Sequence, residues 1–322
     1  MKRLQKAIDH YLALRRALGF KLERTETRLR QFFRFMKSKR TTRITTALAL
    51  EFAVQGPDLA PKTRSMRLSV VRGFARHHLA ADPRTEVPPL GLLPGGSKRA
   101  HPYLYSEDEI LQLLKGAKEY PSWNRFRGPW WRRFQAHTFS GIFGLLAVTG
   151  MRVGEVLNLR AEDIDWTEGV LTIRKTKFDR SRLVPLHPTT LKVLKDFVRY
   201  RDQFFAKLPV PPELSHLFVT SRGTKLAVTH INRVFLIISR RIGLRAPDAR
   251  SGPRLHDLRH RFAILTLLRW YQQGEQPDRL LPVLSTYLGH VHVSGTYWYL
   301  SSTPELLRAA GQRLERRWKG VQ

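Results

Sequence analysis

The sequence predicts a two-domain, mainly α-helical protein with one small antiparallel β-sheet. Three observations predict it. Apolar residues recur at three- and four-residue spacing along most of the chain, one stretch has the residue pattern of a β-hairpin, and one Pro- and Gly-rich segment separates two such regions. The 322 residues suffice for two separate cores, and 42% apolar content is ordinary for a globular chain.

The first hundred residues read as helical. In ERTETRLRQFFRFMKSK, Leu29, Phe32, Phe33 and Met36 make one apolar face among arginines. KTRSMRLSVVRGFARHHLA predicts a second helix with Met66, Val70, Phe74 and His77 on its buried side, preceded by a turn bracketed by Pro57 and Pro61. DPRTEVPPLGLLPGGSKRAHP then carries five prolines and three glycines and reads as an extended linker. The first domain is drawn at 1–96, the linker at 83–101 and the second domain at 102–322.

The second domain opens at YSEDEILQLLKGA, where Ser106 as N-cap and Glu109 three residues later form a capping box. A buried helix is expected around FSGIFGLLAVTG. GVLTIRKTKFDRSRLVPL predicts a β-hairpin with a polar turn near 178–181, and Pro185 confines its second arm to a sheet edge. Further helices are expected over 189–206, 229–242, 257–272 and 303–318. The last begins at Thr303 as N-cap with Pro304 in its first position, and Leu307, Ala310, Leu314 and Trp318 lie along one stripe. No internal repeat is present.

Charge narrows the function. Against 26 acidic side chains stand 57 Lys and Arg, a formal net charge of +31. Such a surplus suits a polyanion whose condensed counterions are released on binding. Residues 1–98 hold 21 basic and 7 acidic side chains, so the excess runs through both domains and is not a tail. Two basic domains could grip one duplex from two sides; ribosome-like RNA binding or an Arg-biased proteome would give the same charge. The absence of Cys excludes disulfides, thiolate nucleophiles and Cys-based zinc sites and fits an intracellular protein. No uncharged apolar run approaches the length of a membrane helix, and the basic opening MKRLQKAIDHYLALRR lacks a signal's apolar segment, so no membrane partner and no processing are expected.

Four segments carry candidate chemistry. TGMRVGEVLNL sets Arg152 at the start of an amphipathic helix with apolar Val153, Val156, Leu157 and Leu159. Glu155 shares its face and could orient the guanidinium, unless the two form only a surface ion pair. RLHDLRHRFAI places His256, Arg259 and His260 on one helical face, where an Arg fork and an imidazole suit a phosphate. Two His four apart around an Asp also echo a zinc-binding HExxH helix, but Arg259 would stand beside the metal and the acidic position is not Glu. YLGHVHV offers His290 after a Gly, and Lys177 lies at the hairpin turn; alone, each reads as a capping or solvated residue.

Taken in order, Arg152, Lys177, His256-x-x-Arg259, His290 and a following tyrosine resemble the tyrosine recombinase family, the phage integrases, over essentially the whole chain. The segments TGMRVGEVLNL, HDLRH and LGH carry the resemblance. It implies a helical core-binding DNA-binding domain, a linker and an α+β catalytic domain. It also implies that Tyr299, nine residues after His290, is the nucleophile. Residues two apart on a helix point about 200° away from each other, so Tyr297 cannot face the same phosphate. Lys177 is placed by its distance to Pro185, with Lys175 as the alternative.

The resemblance further implies site-specific recombination through a 3′-phosphotyrosyl intermediate and a Holliday junction, serving integration, excision or transposition of a mobile element. Arg152, Arg259 and His290 would neutralise the phosphorane, His256 would act as base and Lys177 as general acid, with neither metal nor ATP. The implied partners are double-stranded DNA with inverted half-sites and three further protomers, in the cytoplasm of a bacterium at its nucleoid. The tail stripe would either pack on its own domain or be exchanged with a neighbouring protomer. Two other functions share part of this pattern: a type IB topoisomerase and a non-catalytic DNA-binding regulator that keeps the fold.

Overall fold

A computed structural model describes residues 1–56, 58–94, 101–120, 128–174, 181–301 and 303–319. The chain divides into two compact units, Met1–Ala100 and His101–Gln322. The first contains α1 (Lys2–Ala17), α2 (Glu23–Ser38), α3 (Thr46–Val54) and α4 (Pro61–His78). Its core joins Leu4, Ile8 and Leu12 of α1 to Leu29, Phe32, Phe35 and Met36 of α2 and to Phe52 of α3. On α2 the inward aromatic beside Phe32 is Phe35, which lies 5.7 Å from the Phe52 ring, while Phe33 is only half-buried.

The buried side of α4 differs from the sequence expectation. Leu68, Val71, Phe74 and Ala75 are buried, Met66 is exposed, and Val70 and His77 are half-buried. The paired valines allow two stripes one residue, or about 100°, apart. Packing of α4 on α1, α2 and α3 selects the one through Val71. His77 ends at the rim of the core, its ring 5.2 Å from Tyr11.

The second unit contains α5 (Glu107–Lys118), α6 (Pro129–Thr149), α7 (Val153–Val156), β1 (Ile164–Asp165), β2 (Val170–Ile173), β3 (Arg182–Pro185), α8 (Pro188–Ala206), α9 (Val228–Arg241), α10 (Leu255–Gln272), α11 (Pro277–Leu288), α12 (Ser294–Tyr297) and α13 (Pro304–Lys319). The fold class is the predicted one: helices around an antiparallel sheet of order β1-β2-β3, with Pro185 opposite Val170 on the edge strand. The Ser106 capping box forms, the Glu109 amide donating to Ser106 Oγ at 3.1 Å and the Ser106 amide to the Glu109 carboxylate at 2.7 Å. Phe139, Ile142, Phe143 and Leu146 of α6 anchor the main core, which includes Leu255 and Leu258 of α10.

Four local expectations are corrected. The helix after Arg152 is a single turn, because the Leu159 carbonyl accepts from the Leu217 amide at 2.6 Å and draws the chain away. α11 is a further helix that the sequence pattern does not predict, since Pro277 and Pro282 argue against one. Pro277 occupies the first turn, and burial of Leu281, Leu284 and Leu288 outweighs the lost bond at Pro282. Tyr299 does not share a continuous helix with Tyr297; it belongs to a 3₁₀ turn, Trp298–Ser301, that follows α12. On α13 it is Leu306 that is buried, while Leu307, Leu314 and Trp318 of the expected stripe are 55%, 49% and 67% exposed.

Candidate active site

Helix α10 opens with Arg254 as N-cap. Asp257 accepts from the Arg254 amide at 2.8 Å and from its guanidinium at 2.7 Å, so the acidic residue of the zinc-like reading is committed to closing the helix start. One turn on, Arg259 is only 2% exposed. It donates to the Gly150 carbonyl at 2.9 Å and to the Leu288 carbonyl at 2.5 Å. These oxygens lie at the C-terminal ends of α6 and α11, where helices present unpaired carbonyls and the negative end of their dipole. The guanidinium is thereby satisfied by neutral groups and keeps its charge for an anion. Gly150 makes this possible: its φ is +62°, and a Cβ there would stand 2.7 Å from Phe262.

Arg152 stands against the second of these helix ends. Its guanidinium donates to Glu155 at 2.7 Å and to the Gly289 carbonyl at 2.9 Å, with its side chain 36% exposed. Glu155 is shared, because Arg182 of β3 approaches from the other side with bonds of 2.7 and 3.1 Å and donates a third to the Tyr287 carbonyl at 2.7 Å. The Arg182 and Glu155 side chains are 7% and 9% exposed. Burial works to raise the Glu155 carboxyl, but the hydrogen bonds and charge of Arg182, with Arg152, outweigh it and hold the group at about 2. Arg182 thus ties the edge strand, α7 and the end of α11 into one block.

Arg152 and Arg182 share the carboxylate of Glu155 while Arg259 rests on main-chain carbonyls, so among the described residues of this cluster three guanidiniums stand against one carboxylate. Burial, with repulsion from Arg152, lowers Arg259 to about 10. A phosphate between Arg152 and Arg259 would relieve that repulsion and gain charge-assisted hydrogen bonds.

The histidines and Tyr299 complete the cluster. His290 Nδ1 pairs with Thr296 Oγ1 at 2.8 Å, and its ring stacks on that of Tyr299 at 6.3 Å. Tyr299 is 2% exposed, whereas Tyr297 is 51% exposed. The Tyr299 hydroxyl meets His260 Nδ1 at 3.0 Å. The His260 and His256 rings lie 4.7 Å apart. Although His256 as a residue is exposed, burial of its imidazole, with the charge of Arg259, lowers it to about 4. Burial and His256 lower His260 to about 4 as well. Both imidazoles are neutral at neutral pH.

The structure therefore brings Arg152, Glu155, His256, Arg259, His290 and Tyr299 into one cluster of contacts. Lys177 and its alternative Lys175 lie outside the described residues. Sequence reasoning missed Arg182 and Thr296, and noted His260 without giving it a role. Arg182 had a signal: two residues before Val184 on a strand, it must point to the same inner face. Nothing in the sequence marks Thr296.

Such an arrangement can hold a phosphate-sized anion beside a phenol and neutral imidazoles, which is the equipment of a phosphoryl-transfer site. Residues 106–305 match the model of the phage integrase family, and the chain belongs to that family. It is 48% identical over 321 residues to y4rB of Sinorhizobium fredii (strain NBRC 101917 / NGR234), an integrase/recombinase by name, with 99% of each chain covered. It is also 30% identical over 172 residues to tyrosine recombinase XerA of Pyrococcus furiosus, covering 52% of each chain. Two solved structures share its fold. One is the Tn1549 transposon integrase in complex with transposon right end DNA, at a TM-score of 0.64 and 14% identity over 96% of this chain and 98% of that one. The other is XerH recombinase bound to palindromic difH substrate, at 0.63 and 21% over 90% and 78%. The protein is accordingly a tyrosine-type site-specific recombinase. Among the described residues no helix is long and apolar enough to cross a membrane.

Proposed function

We propose that the protein cleaves and rejoins double-stranded DNA through a 3′-phosphotyrosyl link to Tyr299. The observation that carries this reading is the convergence of Tyr299 with His290, His260 and the under-neutralised Arg152 and Arg259 pair. The guanidiniums take the non-bridging oxygens of the scissile phosphate, and His290 and His256 complete the donors around it. Charge grows on those oxygens as the phosphorane forms, and donors already fixed by main-chain carbonyls stabilise it without reorganising. As the bond from the Tyr299 oxygen to phosphorus forms, the bond to the 5′ oxygen breaks, and Lys177 supplies that oxygen with its proton. The tyrosyl phosphodiester conserves the energy of the broken link for attack by another 5′ hydroxyl. Neither metal nor ATP takes part.

In this reading the strongly basic first unit is the core-binding domain, which grips DNA with inverted half-sites. Four protomers exchange strands through a Holliday junction; a lambda integrase of the same fold, solved as a tetramer bound to a Holliday junction, supports this arrangement. The solvent-facing stripe of Leu307, Leu314 and Trp318 supplies a surface for exchange of α13 between them. The reaction serves a mobile element, on the nucleoid of a bacterial cytoplasm; the transposon integrase among the structures of like fold supports this choice.

The test is to incubate the protein with fragments of its own replicon in EDTA, stop with SDS, and sequence the DNA ends left attached. An adduct that disappears in Tyr299→Phe and persists in Tyr297→Phe is the expected outcome. Loss confined to Tyr297→Phe would overturn the nucleophile, and site-independent relaxation of plasmids without exchange products would make the protein a topoisomerase.

A further inference from the structure

We infer that His260, and not His256, takes the phenolic proton of Tyr299 as that oxygen attacks phosphorus; the role rests on Tyr299 being the nucleophile. The hydroxyl and Nδ1 are 3.0 Å apart, within direct transfer distance, and both side chains are buried, at 2% and 9% exposure. The ring is fixed on two sides, by Trp298 at 5.3 Å and His256 at 4.7 Å. It also follows Arg259 directly on α10, so one rigid helix carries both the phosphate's main guanidinium and the acceptor of the nucleophile's proton. His256 sits a turn earlier, and it is the His260 ring that stands between it and Trp298, in hydrogen-bonding contact with the phenol.

A phenol with an ordinary pKa of about 10 is almost wholly protonated at neutral pH, so an acceptor at contact distance has chemistry to do. Nδ1 accepts only with the ring proton on Nε2. His260 is neutral at neutral pH and so has a free lone pair. Burial and His256, which lower it from 6.5 to about 4, make it a weak base, so the proton moves as the Tyr299 oxygen bonds to phosphorus and no free phenolate forms beforehand. The step balances: the proton leaves the Tyr299 oxygen for Nδ1, that oxygen bonds to phosphorus, the 5′ oxygen departs and is protonated by Lys177. Religation reverses each transfer and returns the proton to Tyr299. Among the described residues, the charged or titratable groups acting most on His260 are His256, Asp257 and Arg259 of its own helix and Arg254 at its N-cap, with Tyr299 from the segment packed on it.

His260→Asn places an amide near the Nδ1 position and removes the proton acceptor. On the DNA where the wild-type adduct forms, its rate of adduct formation at pH 7 should fall roughly 10²-fold with DNA binding unchanged. The loss should shrink as pH rises and hydroxide takes over removal of the phenolic proton. An equal loss at every pH, or no loss, overturns the role and leaves the proposed function standing. If the wild type forms no adduct on any fragment, both fall together. Nitrogen-15 spectra of DNA-free wild type guard against a variant that fails to fold: His260 Nδ1 should resonate as an unprotonated nitrogen at neutral pH, and a proton found on Nδ1 overturns the proposal.

Discussion

In the first unit the ion pairs stand in water. Lys39 meets Glu51 with the two side chains 41% and 50% exposed, and Arg30 meets Asp9 at the rim of a core made of Leu, Ile, Phe, Met and Ala. In the second unit Arg182 meets Glu155 at 7% and 9% exposure, and Arg259 is buried with main-chain oxygens for partners. Surface pairs of the first kind contribute little, whereas a buried charge that loses its partner is strongly destabilising. The same residue type is solvated surface in one unit and a costly internal fixture in the other. The cost falls where a phosphate would be held.

The largest effect expected from this contrast follows Glu155→Gln, which removes the carboxylate that Arg152 and Arg182 share. The second unit should lose about 3–5 kcal/mol in urea unfolding followed by tryptophan fluorescence. That signal is selective, because all seven tryptophans lie beyond residue 101. A loss below 1 kcal/mol would mean that the two guanidiniums hydrate as surface groups do. Gly150→Ala comes next, at about 1–3 kcal/mol, since its φ of +62° is strained for alanine and Phe262 must move; it should also displace the carbonyl that holds Arg259 and slow adduct formation.

Acid should divide the units further. A His260 lowered from 6.5 to about 4 makes the unfolded chain take up the proton first, so stability is lost as pH falls from 6.5 towards 4. Glu155, lowered from 4.5 to about 2, adds stability above 4.5 that is lost between 4.5 and 2. Thermal midpoints of the second unit by tryptophan fluorescence should fall across the first window, and His260→Asn should flatten that fall; an unchanged slope would place the titration elsewhere. The smallest effect belongs to Glu51→Gln in the first unit, below about 1 kcal/mol by circular dichroism melting and weaker still at high salt.

Much of this contrast was legible in the sequence, through periodicity and through order. Leu29, Phe32 and Met36 of the α2 stripe, though not Phe35, the capping box at Ser106 and the edge position of Pro185 follow from one-dimensional patterns. The resemblance to a family singled out Arg152, His256, Arg259, His290 and Tyr299, which the fold brings close together. What was missed depended on competition in three dimensions. Val70 and Val71 offered α4 two faces, and only its three neighbouring helices chose between them. α11 was hidden by prolines whose cost is met by leucines packing at a distance. Arg182 declared itself only by the inward side of a short strand, and the contact between His260 and Tyr299 joins residues 39 apart that no local rule connects.

The guanidiniums of Arg152 and Arg259 lean on the carbonyls of Gly150, Leu288 and Gly289. Amino-acid replacement cannot delete a peptide oxygen. A lineage can therefore rewrite the side chains around the two guanidiniums while the main-chain oxygens that hold them pass down unaltered. Drift is left to act on the angles of two turns, which glycine alone keeps easily.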